Sequence, residues 1–242
     1  MWLAAMWGGI SGSAVLIGAI AAMFLQIPKK MIGYIMAFGT GVLIGAAAYE
    51  LLGEAINDGG ILATSAGFVS GAVTFTLLDY LVSRRGASNR KRSGKKASKN
   101  KGIPIFIGTL LDAIPESMMI GASLLGEQSV SFLLVIAIFI SNIPEGLSST
   151  AGMKSSGYTK VKITSLWISV LLISALSSWA GYFFLADASA ALMSGIAAFA
   201  GGGIIAMVAS TMMPEAYEDS GPTTGLITAL GLLGSLILHH FA

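Results

Sequence analysis

Residues 103–125 read IPIFIGTLLDAIPESMMIGASLL, and residues 129–152 read SVSFLLVIAIFISNIPEGLSSTAG. Each run is apolar and long enough to cross a bilayer, which takes about 20 residues. Each also has a proline followed by a glutamate at its centre: Asp112-Ala113-Ile114-Pro115-Glu116-Ser117 and Ser141-Asn142-Ile143-Pro144-Glu145-Gly146. A charged side chain in hydrocarbon costs about 2.5–3.5 kcal/mol on insertion scales, so such residues point to function. The same costly arrangement, repeated 29 positions on, predicts two broken helices facing one cation site.

The rest of the chain agrees with a membrane setting. Of 242 residues 55% are hydrophobic and only 11% charged, against about 25% charged in soluble proteins; mean hydropathy is +0.80. Eight apolar segments emerge, approximately 2–24, 31–52, 61–82, 103–125, 129–152, 163–185, 190–213 and 223–241. The short connections leave no room for a soluble domain, so 1–242 reads as a single all-α transmembrane domain. The first segment has no preceding Lys or Arg and reads as a retained helix rather than a cleaved signal. Cysteine is absent, which excludes disulfides and thiolate metal ligands.

All 14 Lys and Arg fall in the connections after segments one, three, five and seven or in their equivalents on one side: Lys29, Lys30, nine between Arg84 and Lys101, then Lys154, Lys160 and Lys162. The opposite connections carry Glu54, Asp58, Glu127 and Asp187 and no base. By the positive-inside rule both termini are extracytoplasmic and the chain is a multi-pass protein of the cell (inner or plasma) membrane. The stretch Arg84–Gly102 reads as a flexible basic cytoplasmic loop, a solvated topogenic element rather than a nucleic-acid or lipid site.

A second repeat lies outside the central pair. Gly41, Ala48, Glu54, Ala55 and Asp58 match Gly202, Ala209, Glu215, Ala216 and Asp219 at an offset of 161. One stretch exits outward and the other inward, as in an inverted repeat of three spans, a plan found among secondary transporters. With the two central segments it gives eight helices in a 3+2+3 arrangement, helices 1–3 repeating as 6–8.

Within the central pair, Asp112 and Glu116 share a helix face, as do Ser141 and Glu145, with Asn142 beside them. Both sets lie roughly 15 Å into their segments at 1.5 Å per residue, near the midplane. Pro115 and Pro144 release the carbonyls of Leu111 and Ile140 from helical bonding. Three carboxylates with an amide and a hydroxyl repel one another unless a cation or protons neutralise them. A divalent metal is the natural counter-charge.

These motifs resemble those of the ZIP family of divalent metal transporters, whose fourth and fifth spans carry a His-Asn-x-Pro-Glu-Gly type motif and a related Pro-Glu motif. The resemblance covers the whole chain, including the Met-Met-Pro-Glu-Ala end of span seven. It implies a transporter, not an enzyme, that moves a divalent metal (Zn, Fe, Mn or similar) toward the cytoplasm by alternating access. The metal is substrate; no organic cofactor and no nucleic-acid partner are implied, and a homodimer is compatible with it. By position it implies metal ligands at Asp112, Glu116, Ser141, Asn142 and Glu145. Asp112 stands where the family has histidine, and Ala113 where it has Asn. No acid occupies span six, and Thr211 replaces a family Glu. One principal, oxygen-only site is therefore expected. A transport-inactive relative, a proton-coupled carrier of another solute and, more remotely, an intramembrane carboxylate enzyme are the alternatives.

The remaining polar residues have plain readings beside functional ones. Glu50, Glu54 and Asp58 form an entrance or are solvated helix-end acids. Glu215, Glu218 and Asp219 form an exit or serve as caps. Asp79 pairs with Arg84 or snorkels. His239 and His240 read as a wet helix end. Met118, Met119, Met212 and Met213 read as core packing, and the glycines as close helix contacts.

Overall fold

In the computed structural model the chain is described over residues 1–82, 102–125 and 130–241, the side chains of 102–105 excepted. Among these residues the protein is all-helical, with no strand. The helices are α1 (Trp2–Phe24), α2 (Lys29–Ala46), α3 (Glu54–Val82), α4 (Gly102–Ser123), α5 (Phe132–Ser155), α6 (Lys160–Phe184), α7 (Ala190–Met207), α8 (Met213–Ser220) and α9 (Thr224–Phe241). The basic stretch Arg84–Lys101 and Glu127 lie outside the described residues, as does the expected Arg84 partner of Asp79. Three helices start where a hydroxyl satisfies a free backbone N–H: Ser131, Thr159 and Ser189 accept from Leu134, Lys162 and Leu192.

Among the described residues, five helical runs are long and apolar enough to cross a membrane: Trp2–Phe24, Lys29–Leu81, Phe132–Ser155, Lys160–Phe184 and Ala190–Phe241. The second and fifth runs hold 53 and 52 residues. As straight helices they would each reach about 80 Å, far beyond a hydrocarbon core of about 30 Å.

Both runs are interrupted instead, and in the same two ways. α2 widens into a π-helical turn over Ala47–Gly53, and α7 into one over Val208–Met212. These turns begin 161 positions apart. Gly60 (φ 75°, ψ 169°) and Gly221 (φ 72°, ψ −153°), also 161 apart, then break the helix in a backbone region that only glycine adopts freely. The chain reverses at these breaks. Before Gly60, Leu52 lies against Gly201 and Gly59 against Ser194, so the chain runs opposite to α7; after it, Gly67 meets Gly195 and Gly71 meets Phe199, so α3 runs parallel to α7. Around Gly221, Gly33 meets Asp219 and Ser220, and beyond it Gly41 meets Thr228 and Gly45 meets Ser235, so α9 runs parallel to α2.

The close pairs repeat as well. Gly71 packs on the Phe199 carbonyl and Gly231 on that of Phe38, while Gly202 packs on Phe68 and Gly41 on Thr228. α1 crosses α6 through Gly8 at Ser178 and Gly12 at Ser174. α5 joins α1 through Gly18 and Gly146, as α4 joins α6 through Gly121 and Gly181. Among small residues such backbone approaches supply van der Waals contact that lipid cannot outcompete.

The ends of the bundle differ in chemistry. At one end Lys154 Nζ donates to the Ala22 carbonyl at 3.1 Å, and Lys160 lies over the Phe24 ring at 4.7 Å. At the other, Trp7 meets Phe132 edge-on at 5.5 Å and His239 meets Glu50 at 3.0 Å, which places the first and last helical turns of the chain together. Met119 and Met212 are buried in the main apolar core, as expected of packing methionines.

Candidate metal centre

α4 and α5 each continue as one helix through Pro115 and Pro144. This corrects the expectation of two helices broken at proline. A proline removes one N–H and crowds one carbonyl, a loss the neighbours absorb; the breaks fall where glycine takes a positive φ. Beside Pro144, Gly39 of α2 brings its backbone close to Ser141 and the Ile140 carbonyl.

Every candidate ligand on these two helices is buried: Asp112 4%, Glu116 3%, Ser141 2%, Asn142 4% and Glu145 3% exposed. Asp112 and Glu116 border a cleft of ≈ 70 Å³ between α3, α4 and α7, whose other walls include Thr74, Phe75, Phe199 and Met207. The Ser141 hydroxyl donates to the Ile138 carbonyl at 3.0 Å, which leaves its oxygen lone pairs as acceptors. Oxygens Asp112 Oδ1, Glu116 Oε2 and Glu145 Oε1 are shielded from solvent.

The acids at the helix ends separate into two kinds. Glu54, Asp58 and Glu218 are exposed and Asp219 is half-buried. Glu215 is buried, 4% exposed, and its Oε1 accepts the hydroxyl hydrogen of Ser148 on α5. Ser148 lies on the face that carries Ser141 and Glu145, at i+7 and i+3 from them. Glu215 therefore lies in the interior, bonded to the helix face that carries Ser141 and Glu145. Ser148 was legible as the continuation of that face but carries no charge to mark it. Glu50 is half-buried, held by the Ser131 hydroxyl and His239, so His239 is not a free helix end. Thr211 turns its hydroxyl onto the Met207 carbonyl at 2.8 Å.

Among the described residues, no three His, Cys, Asp or Glu side chains converge closely enough to hold a metal by themselves. Asp112 and Glu116 line the cleft that α3 and α7 also border, and α5 meets α2 at Ser141 and α8 at Ser148.

Sequence comparison finds curated zinc transporters among the proteins this chain resembles. Over 211 residues the chain is 26% identical to At3g08650 of Arabidopsis thaliana, provisionally named a zinc transporter, covering 86% of this chain and 33% of that protein. It is 25% identical over 177 residues to the zinc transporter SLC39A7 of Homo sapiens, covering 64% and 37% of the two chains. The proteins it is similar to are thus named zinc transporters, at modest identity. To the zinc transporter zipt-7.2 of Caenorhabditis elegans it is 29% identical over 109 residues, 43% of this chain and 23% of that one. The chain spans about a third of the length of the curated relatives it matches. No family model matches it. Relative to the ZIP motifs, its central helices offer carboxylate, hydroxyl and amide oxygens and no imidazole.

Proposed function

We propose that this protein is a membrane carrier of divalent metal cations of the Zn, Fe and Mn class. In this reading residues 1–242 form one transmembrane unit of eight crossings, arranged 3+2+3. The first three crossings and the last three are inverted repeats, and α4 and α5 stand between them. Metal binds near the midplane through Asp112, Glu116, Ser141, Asn142 and Glu145, and it moves toward the cytoplasm as the repeats rock about that site. Glu50 and Glu54 lie on the entry side and Glu215 on the exit side. Both termini face away from the cytoplasm of a cell membrane, because the lysines mark the opposite end.

The observation that carries the reading is the burial of Asp112, Glu116 and Glu145 on two proline-bearing helices inside an apolar bundle. Buried carboxylates are retained where they serve an ion or proton path. Two neighbouring helices suit a carrier: an ion is gripped when they approach and released when they part. Oxygen ligands favour harder cations such as Mn²⁺, although the intrinsic affinity order still favours Zn²⁺.

Uptake into proteoliposomes across Mn, Fe, Zn, Co, Cd and Mg tests this directly, with Glu145→Ala and Asp112→Ala alongside. Uptake that both substitutions abolish is the expected result. Uptake that survives both substitutions, or none with any metal, would overturn the proposal.

A further inference from the structure

The chain has two histidines, adjacent at 239 and 240, and the structure uses them differently. His239 Nδ1 lies 3.0 Å from Glu50 Oε1, and its ring stacks on Tyr49 with centroids 5.3 Å apart and an 18° angle between planes. His240 turns away and meets the ring of Phe241 edge-on at 5.2 Å. The other Glu50 oxygen, Oε2, accepts the hydroxyl hydrogen of Ser131. That same hydroxyl oxygen caps α5 by accepting the Leu134 N–H at 3.1 Å. Glu50 and Tyr49 both lie in the π-helical turn of α2, a backbone device that recurs at functional sites.

We propose that Glu50 and His239 form a second divalent-cation site, at the end of the bundle opposite the lysines, separate from the carboxylates of α4 and α5. It would take a borderline first-row cation such as Zn²⁺, Co²⁺ or Cu²⁺, for which imidazole nitrogen is a good ligand. Metal bonds to imidazole nitrogen and carboxylate oxygen are each about 2.0–2.2 Å. Two such donors on one tetrahedral ion lie a little over 3 Å apart, so the observed pair accepts an ion with a shift of a few tenths of an ångström. Both ligands are already oriented by neighbours, Glu50 by Ser131 and His239 by Tyr49, which is what outer-shell partners do at metal sites. The Glu50 side chain is 11% exposed and that of His239 44%, so water completes the coordination and exchange is fast. Such a site captures ions weakly and reversibly. Its nitrogen–oxygen set also selects differently from the oxygen-only centre within the bundle.

The test is electron spin-echo envelope modulation of Cu²⁺ bound to the untagged full chain in detergent. His239 and His240 are the only imidazoles, so the nitrogen modulation reports this end of the molecule and is silent about the buried carboxylates. Its outcome is therefore independent of the transport reading. We expect imidazole modulation at one equivalent of Cu²⁺ that Zn²⁺ displaces. His239→Gln removes it, His240→Gln retains it, and Glu50→Gln weakens binding about tenfold or more. Ser131→Ala weakens it less, with the melting temperature followed because Ser131 also caps α5. Loss of the signal in His240→Gln, or unchanged affinity in Glu50→Gln, would reduce the site to an exposed histidine pair and overturn the proposal.

Discussion

Replacing Gly41 or Gly202 with alanine probes whether the two interrupted helical runs are equivalent parts. A Cβ at Gly41 would sit 2.0 Å from the Thr228 carbonyl oxygen and 2.7 Å from the Leu232 nitrogen. At Gly202 it would sit 2.1 Å from the Phe68 oxygen and 3.1 Å from the Ala72 nitrogen. Every one of these atoms is backbone, so no rotamer change relieves the clash and whole helices must separate. Restoring contact to just over 3 Å needs a movement of about 1 Å, and a gap of that size forfeits a quarter to a half of each dispersion contact along the seam. Overpacking costs about 1–3 kcal/mol, and here it belongs at the top of that range. The alanine returns up to about 1 kcal/mol of helix preference. Each variant should therefore lose about 2 kcal/mol, measured by unfolding in mixed detergent–SDS micelles. Gly225→Ala is the control: a Cβ there has no neighbour within 4 Å, so it should be neutral or slightly stabilising. If Gly41→Ala and Gly202→Ala both fall within about 0.5 kcal/mol of that control, the close-packing argument fails. If one alone is destabilised, the equivalence of the α2–α9 and α3–α7 seams fails.

Two further outcomes follow from the same coordinates. Gly60→Ala and Gly221→Ala meet no atom within 4 Å, so their cost is conformational alone, about 1–3 kcal/mol each in the same unfolding assay, and a neutral result at both would contradict the assigned backbone. Ser148→Ala removes the hydroxyl that serves buried Glu215 and should cost about 1–3 kcal/mol. In a double-mutant cycle with Glu215→Gln the losses should be clearly non-additive, whereas additive losses would show that the pair does not interact.

What could be read from the sequence was what depends on composition and on one helix at a time. Apolar length, the one-sided lysines and the shared faces of Asp112 with Glu116 and Ser141 with Glu145 are local properties, and the helices follow them. The 161-residue offset was legible from Gly41 to Asp58 and continues two residues beyond, to the paired breaks at Gly60 and Gly221. Glycine marks a positive φ, but its one-letter pattern does not distinguish that role from close packing, which most glycines here serve. The π-helical turns left no sign at all, since no residue type demands the extra residue per turn. They matter because 3.6-residue spacing groups Glu50 with Glu54, whereas the structure half-buries the first and exposes the second. Proline misled in the opposite sense: it marked Pro115 and Pro144 as breaks, yet both helices run on. The choice of neighbour lay further out of reach. A helical face can be read from spacing, but whether it meets α2, α7 or α8 depends on contacts between residues far apart in the chain. That is why Glu215, 67 positions from Ser148, read only as an exit or a cap, and its buried partner could not be named. It also bears on how an ion would be held. A carrier that rocks about α4 and α5 must let some helix seams slide while others hold. The seams most resistant to such movement are those where glycine meets backbone, α2 with α9 and α3 with α7, so those pairs should move as rigid units around α4 and α5.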